Sequence, residues 1–407
     1  MGAAQLAADG GSPVRTRPFP LWPVFGEGEE RALVATLRSG KWGLGGDSIA
    51  AFEQAWSSFQ QAKHAVAVAS GTSALELCLR AVGVESGDEV ILPAYTFVAT
   101  ATAIMARGAI PVFGDVDADT LLLDARSAEA SVTERTRAIV AVHIAGCPAD
   151  LDALKAVARR HQLALVEDAA QAHGASWRGR RVGAIGDVGG FSFQATKNLN
   201  CGEGGAVVTD DSALAEAVWS LHNVGRRRQG GDPILGGNAR ITALQATLLL
   251  AQLERLPDQM ARRDRSARYL SRRLSEIPGI RPAGVDSRVT EHAWHLYMFR
   301  YAAAAFGGMT RAEFVRCLQA EGIPCTAGYA PLHRSAPVVE ETTRMLHALG
   351  RARTPSEVHS PAHLPVVEQA GQDVVWLYQY QLLGEEADMD DVVEAVAKIQ
   401  RARGGGV

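Results

Sequence analysis

Short apolar runs without polar alternation recur along the first half of this chain, most of them next to a stretch with helical spacing. "AVAVAS" (65–70) precedes "GTSALELCLRAVG", and "EVILP" (89–93) precedes "TFVATATAIMARG". "IPVFGDV" (110–116) stands alone before a polar stretch, while "RAIVAVHI" (137–144) and "LALVEDA" (163–169) flank "ADLDALKAVARRH". Such β-branched runs suit strands covered on both faces. The alternating strand–helix order predicts an α/β fold with a mostly parallel sheet and right-handed crossovers. "VGGFSF" and "GAVVTD" add two more strands.

The pattern changes after about residue 238. In "ARITALQATLLLAQLERL", Leu244, Leu248, Leu249, Leu253 and Leu256 fall at helical spacing, and Pro257 is expected to kink or end that helix. A second helix over "RRDRSARYLSRRLSEI" is expected to follow. Beyond it, strands such as "HLYMFRY" mix with helices such as "TRAEFVRCLQAEG" and "MDDVVEAVAKIQRAR". The expected division is an N-terminal arm and large α/β domain over 1–255, then a small α+β domain over 256–407. A frayed glycine-rich tail, "RGGGV", is expected at the end.

Composition narrows the class. Over 407 residues, 47% are apolar and 21% charged, which fits a globular chain rather than a disordered one. The formal net charge of −4, with no basic block longer than "GRRRQ" (225–229), gives no electrostatic support for nucleic-acid binding. Five scattered cysteines without a C-x-x-C pair argue for a reducing, cytoplasmic setting, and no metal is expected. Neither a secretory signal nor a membrane-spanning run is expected.

Three places can carry chemistry. In "ASGTSALEL" (69–77) a strand ends and a helix starts at Thr72 or Ser73. Free N–H groups there suit a phosphate, and a Ser/Thr-capped turn is the alternative. Asp168 ends a strand that reads as central, at the edge where ligands of open α/β sheets sit. It is either a helix cap or the carboxylate that meets a pyridinium N–H. In "FSFQATKNLNCGEGGAVV" (191–208) a lone lysine, Lys197, lies between two apolar runs, with Ser192 five residues before it. A buried cation is costly unless paired or used, and burial frees the amine for a Schiff base. A lysine that holds pyridoxal phosphate accounts for its place, and the glycines after it would leave the cofactor room.

"SGTSALEL", "ILPAYTFVATATAI", "VEDAAQAHGA", "FSFQATKNLNCGEGGAVVTDD" and "GGNARITALQATLLLAQL" occur in one order along the chain. Together they resemble the DegT/DnrJ/EryC1/StrS family of pyridoxal-phosphate sugar and cyclitol aminotransferases, over roughly residues 15–400. The resemblance implies fold-type I (aspartate aminotransferase-like) and pyridoxal 5′-phosphate as cofactor. It makes Lys197 the Schiff-base lysine and Asp168 the partner of the pyridine nitrogen. Gly71, Thr72, Ser73 and Ser192 would hold the phosphate, Phe97 would stack on the ring, and Gln171 would lie near the ring hydroxyl. Asn238 would serve the neighbouring subunit's phosphate site, with Arg240 beside it, so the implied unit is a homodimer with shared sites. His333, in "GYAPLHRS", matches a histidine near the substrate. Trp42, in "GKWGLGG", and Arg226–Arg228 lie in loops that the family varies for substrate contact.

The implied reaction moves an amino group from glutamate or glutamine to a keto-cyclitol or a nucleotide-linked keto-sugar, in the biosynthesis of an aminocyclitol or amino-sugar secondary metabolite. "VVWLYQYQLLGEEADMDDVV" (374–393) looks closer to the cyclitol and aminohydroxybenzoate branch. Yet "FSFQATK" stands where aminohydroxybenzoate synthases favour "FSFQNGK", which keeps that activity as the alternative. Sugar dehydratases of this fold carry histidine where Lys197 stands, and a cofactor-binding regulator without turnover is the remaining reading.

Overall fold

In the computed structural model, residues 5–228, 230–351 and 364–404 are described; residues 405–407 of the expected frayed tail lie outside them. Among the described residues fourteen strands are formed: β1 (His64–Val68), β2 (Glu89–Pro93), β3 (Ile110–Gly114), β4 (Thr136–Val142), β5 (Ala164–Asp168), β6 (Ser176–Trp177), β7 (Arg180–Arg181), β8 (Val188–Ser192), β9 (Gly205–Thr209), β10 (Ile280–Pro282), β11 (Val289–Glu291), β12 (Leu296–Tyr301), β13 (Thr326–Ala327) and β14 (Val374–Tyr378). The first eight helices are α1 (Glu27–Ser39), α2 (Asp47–Phe59), α3 (Gly71–Ala81), α4 (Val98–Ala106), α5 (Ala125–Ala130), α6 (Leu151–His161), α7 (Ser212–His222) and α8 (Ala243–Ser275).

The main sheet has seven strands in the order β1-β9-β8-β5-β4-β2-β3. Its pairs from β8 to β3 are parallel, and only β9 runs against its neighbours. Strands β2, β8 and β9 are buried at every residue, as their unbroken apolar runs predict. Helices cover both faces, and β5 lies at the centre, so Asp168 stands at the carboxyl edge of an inner strand.

The second sheet is antiparallel, in the order β10-β12-β14-β13. It shares a core with the second half of α8 and the helices Arg311–Ala320 and Glu386–Gly404, through residues such as Leu270, Phe299, Phe314 and Val396. The N-terminal segment is fastened to this part. Arg15 pairs with Asp388 and Asp391, and the Glu321 carboxylate accepts from the Ala7 and Val14 N–H groups and from Lys398.

Pro257 does not end a helix. A single 33-residue helix, α8, runs through it. Proline removes the bond to the Leu253 carbonyl, but Pro257 is exposed and that loss is open to water. Leu249 and Leu256 pack into the first core while Leu270 and Leu274 pack into the second, so burial on both sides of Pro257 outweighs the lost bond. None of the helices of the described residues is long and apolar enough to cross a membrane.

Candidate active site

The carboxyl edges of β4, β5 and β8, the β1–α3 and β2–α4 turns, and the second sheet enclose a cavity of about 860 Å³. Of the expected site residues, Gly71, Thr72, Phe97, Asp168, Gln171, Ser192 and Lys197 line it.

Ser70 caps α3, its hydroxyl accepting from the Ser73 N–H at 3.1 Å. Ser73 thus serves the cap and does not line the cavity. The N–H groups of Gly71 and Thr72, ahead of the first intrahelical bond, have no acceptor among the described residues. A Cβ on Gly71 would stand 2.5 Å from the Ser192 Cβ, so glycine is what lets the helix start approach the Ser192 hydroxyl. His173, to which no role was given, is a core residue whose Nε2–H donates to the Ser192 carbonyl at 2.8 Å. Two free N–H groups at a helix N-terminus with a hydroxyl beside them form a cradle suited to a phosphate.

Asp168 is buried, and burial pushes its carboxyl above the usual range. The Thr100 hydroxyl, donating at 2.8 Å, and the Ala170 N–H, at 3.2 Å, act in the opposite sense. Lys197 lies half-buried in the loop between β8 and β9; burial lowers its amine to about 8, against the pull of Asp168. No acceptor for its Nζ occurs among the described residues. The amine is therefore partly neutral near neutral pH, as Schiff-base chemistry requires.

Gln171 is held at both ends: its Oε1 accepts from the Ala145 N–H at 2.7 Å, and its Nε2 donates to the Tyr329 hydroxyl at 3.3 Å. Phe97, at the start of α4, is 54% exposed with its ring 6.2 Å from that of Tyr329. An aromatic so exposed at a cavity wall has a free face for a flat ring. The cradle, the buried carboxylate, the amine and the free aromatic face together fit pyridoxal 5′-phosphate.

Of the glycines after Lys197, Gly205 has a structural use beyond the one expected. A Cβ on Gly205 would stand 2.5 Å from the Ser70 carbonyl carbon and 2.8 Å from the Phe191 oxygen. Glycine there admits close passage of the chain.

Besides Ser73, four expected residues lie outside this cavity. His333 is buried, and its Nε2–H donates to Glu368 at 2.8 Å. Trp42 is 51% exposed and bonded to the Leu37 carbonyl. Asn238 is exposed, and Arg240 donates to Asn223 Oδ1 at 3.1 Å. The Arg226–Arg228 loop does not line the cavity either. Conversely, Trp22, Thr100, His143, His295 and Tyr329 line it without having been expected. Thr100 was the most accessible to sequence reasoning, lying one helical turn past Phe97 in the same motif.

The profile of the DegT/DnrJ/EryC1/StrS aminotransferase family matches residues 24–397. An L-glutamine:2-deoxy-scyllo-inosose aminotransferase of Streptoalloteichus tenebrarius is 39% identical over 418 residues, covering 98% of each chain. A putative L-glutamine:3-amino-2,3-dideoxy-scyllo-inosose aminotransferase of the same organism is 40% identical over 414 residues, again covering 98% of each. Among solved structures, a 3-amino-5-hydroxybenzoic acid synthase is 36% identical with a TM-score of 0.86, covering 95% of this chain and 99% of the other.

Proposed function

This chain belongs to the DegT/DnrJ/EryC1/StrS aminotransferase family, and on that premise we propose that it moves an amino group from L-glutamine to the carbonyl of a keto-cyclitol. It is a pyridoxal-phosphate-dependent aminotransferase. Relatives 39% and 40% identical over nearly their whole length, both named for glutamine and an inosose, support the choice of donor and acceptor. Glutamine would leave as its 2-oxo acid and the ketone as an amine, in an aminocyclitol pathway of secondary metabolism.

The observation that carries the reading is Lys197, an amine lowered to about 8 in one cavity with a buried carboxylate and a phosphate cradle. Lys197 would bind the cofactor's aldehyde, then take the proton from the substrate's Cα and return it on the far side of the reaction. Asp168 would meet the pyridine nitrogen and keep it protonated. Gly71, Thr72 and Ser192 would hold the phosphate, Phe97 would cover one ring face, and Gln171 would fix the ring edge. The bound ring supplies a sink for the electron pair left at Cα.

In this reading a second copy completes the site. Asn238 and Arg240 lie outside their own chain's cavity, and large apolar side chains stay exposed: Leu21 at 84%, Phe25 at 69% and Leu235 at 84%. Exposed apolar surface of this kind is what a twofold partner covers.

The test is a two-stage assay. The cofactor-loaded enzyme is mixed with L-glutamine or L-glutamate, and conversion to the pyridoxamine form is followed by absorbance. Keto-cyclitols and nucleotide keto-sugars are then offered as acceptors. Turnover with a keto-cyclitol after glutamine is the expected result. Turnover with nucleotide keto-sugars alone, or none with any ketone, overturns it; the second outcome would favour a synthase like the 36% identical neighbour.

A further inference from the structure

A second cavity, of about 450 Å³, is lined by Arg268, Ser271 and Arg272 of α8, by Pro282, Ala283, Val285 and Val289, and by His292 and Trp294. None of the residues given a cofactor or substrate role lines it. Three of its features point to a ligand.

The first is His292, which is only 7% exposed. Its Nδ1 accepts the Trp294 backbone N–H at 2.8 Å. Burial lowers its pKa to about 3, so the ring is neutral at ordinary pH. A neutral imidazole that accepts at Nδ1 carries its proton on Nε2. Nothing among the described residues accepts from that N–H, and the atom is not closed off by protein, so it stands open to the cavity as a free donor.

The second is Trp294. Its backbone φ of 51° lies in the left-handed region, which a bulky residue occupies at a cost. It is held there by stacking on His292, centroids 3.7 Å apart and planes within 7°, and by an Nε1–H bond to Asp264 at 3.0 Å. The strained residue thus forms one wall and fixes the histidine beside it.

The third is the balance of groups. The lining has donors and apolar surface but no carboxylate. Arg268 is neutralised by Asp264 at 2.7 Å, whereas Arg272 has no carboxylate partner among the described residues. Pro282, Ala283, Val285 and Val289 supply the apolar part.

We propose that this cavity binds a small organic carboxylate with a flat apolar body. The carboxylate is received by the Nε2–H of His292 and the guanidinium of Arg272, and the body lies against Trp294 and the valines. One unpaired cation and one neutral donor match a single carboxylate, and the apolar wall favours it over a fully hydrated inorganic anion.

Benzoate is the probe. The cofactor-loaded enzyme is titrated by calorimetry and by tryptophan fluorescence, since Trp294 forms the wall. Saturable binding is expected, weakened about tenfold or more in Arg272→Gln and in His292→Phe, which keeps a stacking ring but removes the donor. The cofactor absorbance of both variants should be unchanged, which locates the loss outside the Lys197 cavity. Arg272 is exposed, so Arg272→Gln decides the matter if His292→Phe fails to fold. The proposal is overturned by no saturable binding below about 10 mM, a range that one charge-assisted contact with apolar burial reaches. Unaltered affinity in Arg272→Gln overturns it too, as does inorganic phosphate competing as well as benzoate.

Discussion

The Thr100 hydroxyl donates to Asp168 Oδ2 at 2.8 Å, joining the first turn of α4 to the edge of β5. Both side chains are buried. Burial raises the Asp168 carboxyl and this bond lowers it, so Thr100 helps keep the group ionised. Thr100→Val keeps the shape and removes the donor. A hydrogen bond to a charged group contributes about 1.5–3 kcal/mol, so the rate of the first half-reaction should fall by about tenfold to a hundredfold. Stopped-flow absorbance with glutamine measures it. An unchanged rate would show that Asp168 needs no such support.

The strands, and the residues that gather at one cavity at their carboxyl ends, were readable because both follow from local pattern. Unalternating apolar runs mark β2, β8 and β9, and a lone lysine between two of them marks Lys197. Thr100 stands in the Phe97 motif, but its contact with Asp168, 68 positions away, was not legible there, and neither was that of Tyr329 with Gln171, 158 positions away. The separate second helix expected after Pro257 failed for a related reason. The proline's local rule is sound, but burial of Leu256 on one side and Leu270 on the other decides the outcome.

Lys197 should set the pH at which cofactor-free protein takes up its cofactor. Only the neutral amine attacks an aldehyde, and burial lowers this amine to about 8. The rate of Schiff-base formation should therefore rise with pH through about 8 and level off above it. An ordinary lysine would still be rising near its usual value of about 10.4. Rates of absorbance gain across a pH series read this directly, and Lys197→Ala should show none at any pH. A midpoint in the ordinary lysine range would remove burial as the cause.

Gly71→Val should loosen the cofactor more than the fold. The added side chain meets Ser192, whose Cβ would be 2.5 Å from the new Cβ, so the helix start and the hydroxyl must part. Overpacking of this kind costs about 1–3 kcal/mol. If the phosphate cradle bears that cost, cofactor affinity falls by about tenfold to a hundredfold, while cofactor-free protein keeps its helical circular dichroism. Equal loss of both would make Gly71 a packing residue alone.

Asn238 gives the strictest test of a shared site. It is exposed, pairs through its backbone with Asn223, and does not line its own chain's cavity. If it reaches a partner's phosphate, Asn238→Ala weakens cofactor binding although no group of the chain's own cavity has changed. Cofactor and dimer are then linked, so removing the cofactor should promote dissociation on dilution, measurable by sedimentation. Complementation separates this from a local effect. Each hybrid of Lys197→Ala and Asn238→Ala chains has one site with both defects and one with neither. Random mixing makes about half the dimers hybrid, so about a quarter of wild-type activity should return. A site built from one chain gives no such recovery, because each chain keeps its own defect whatever its partner.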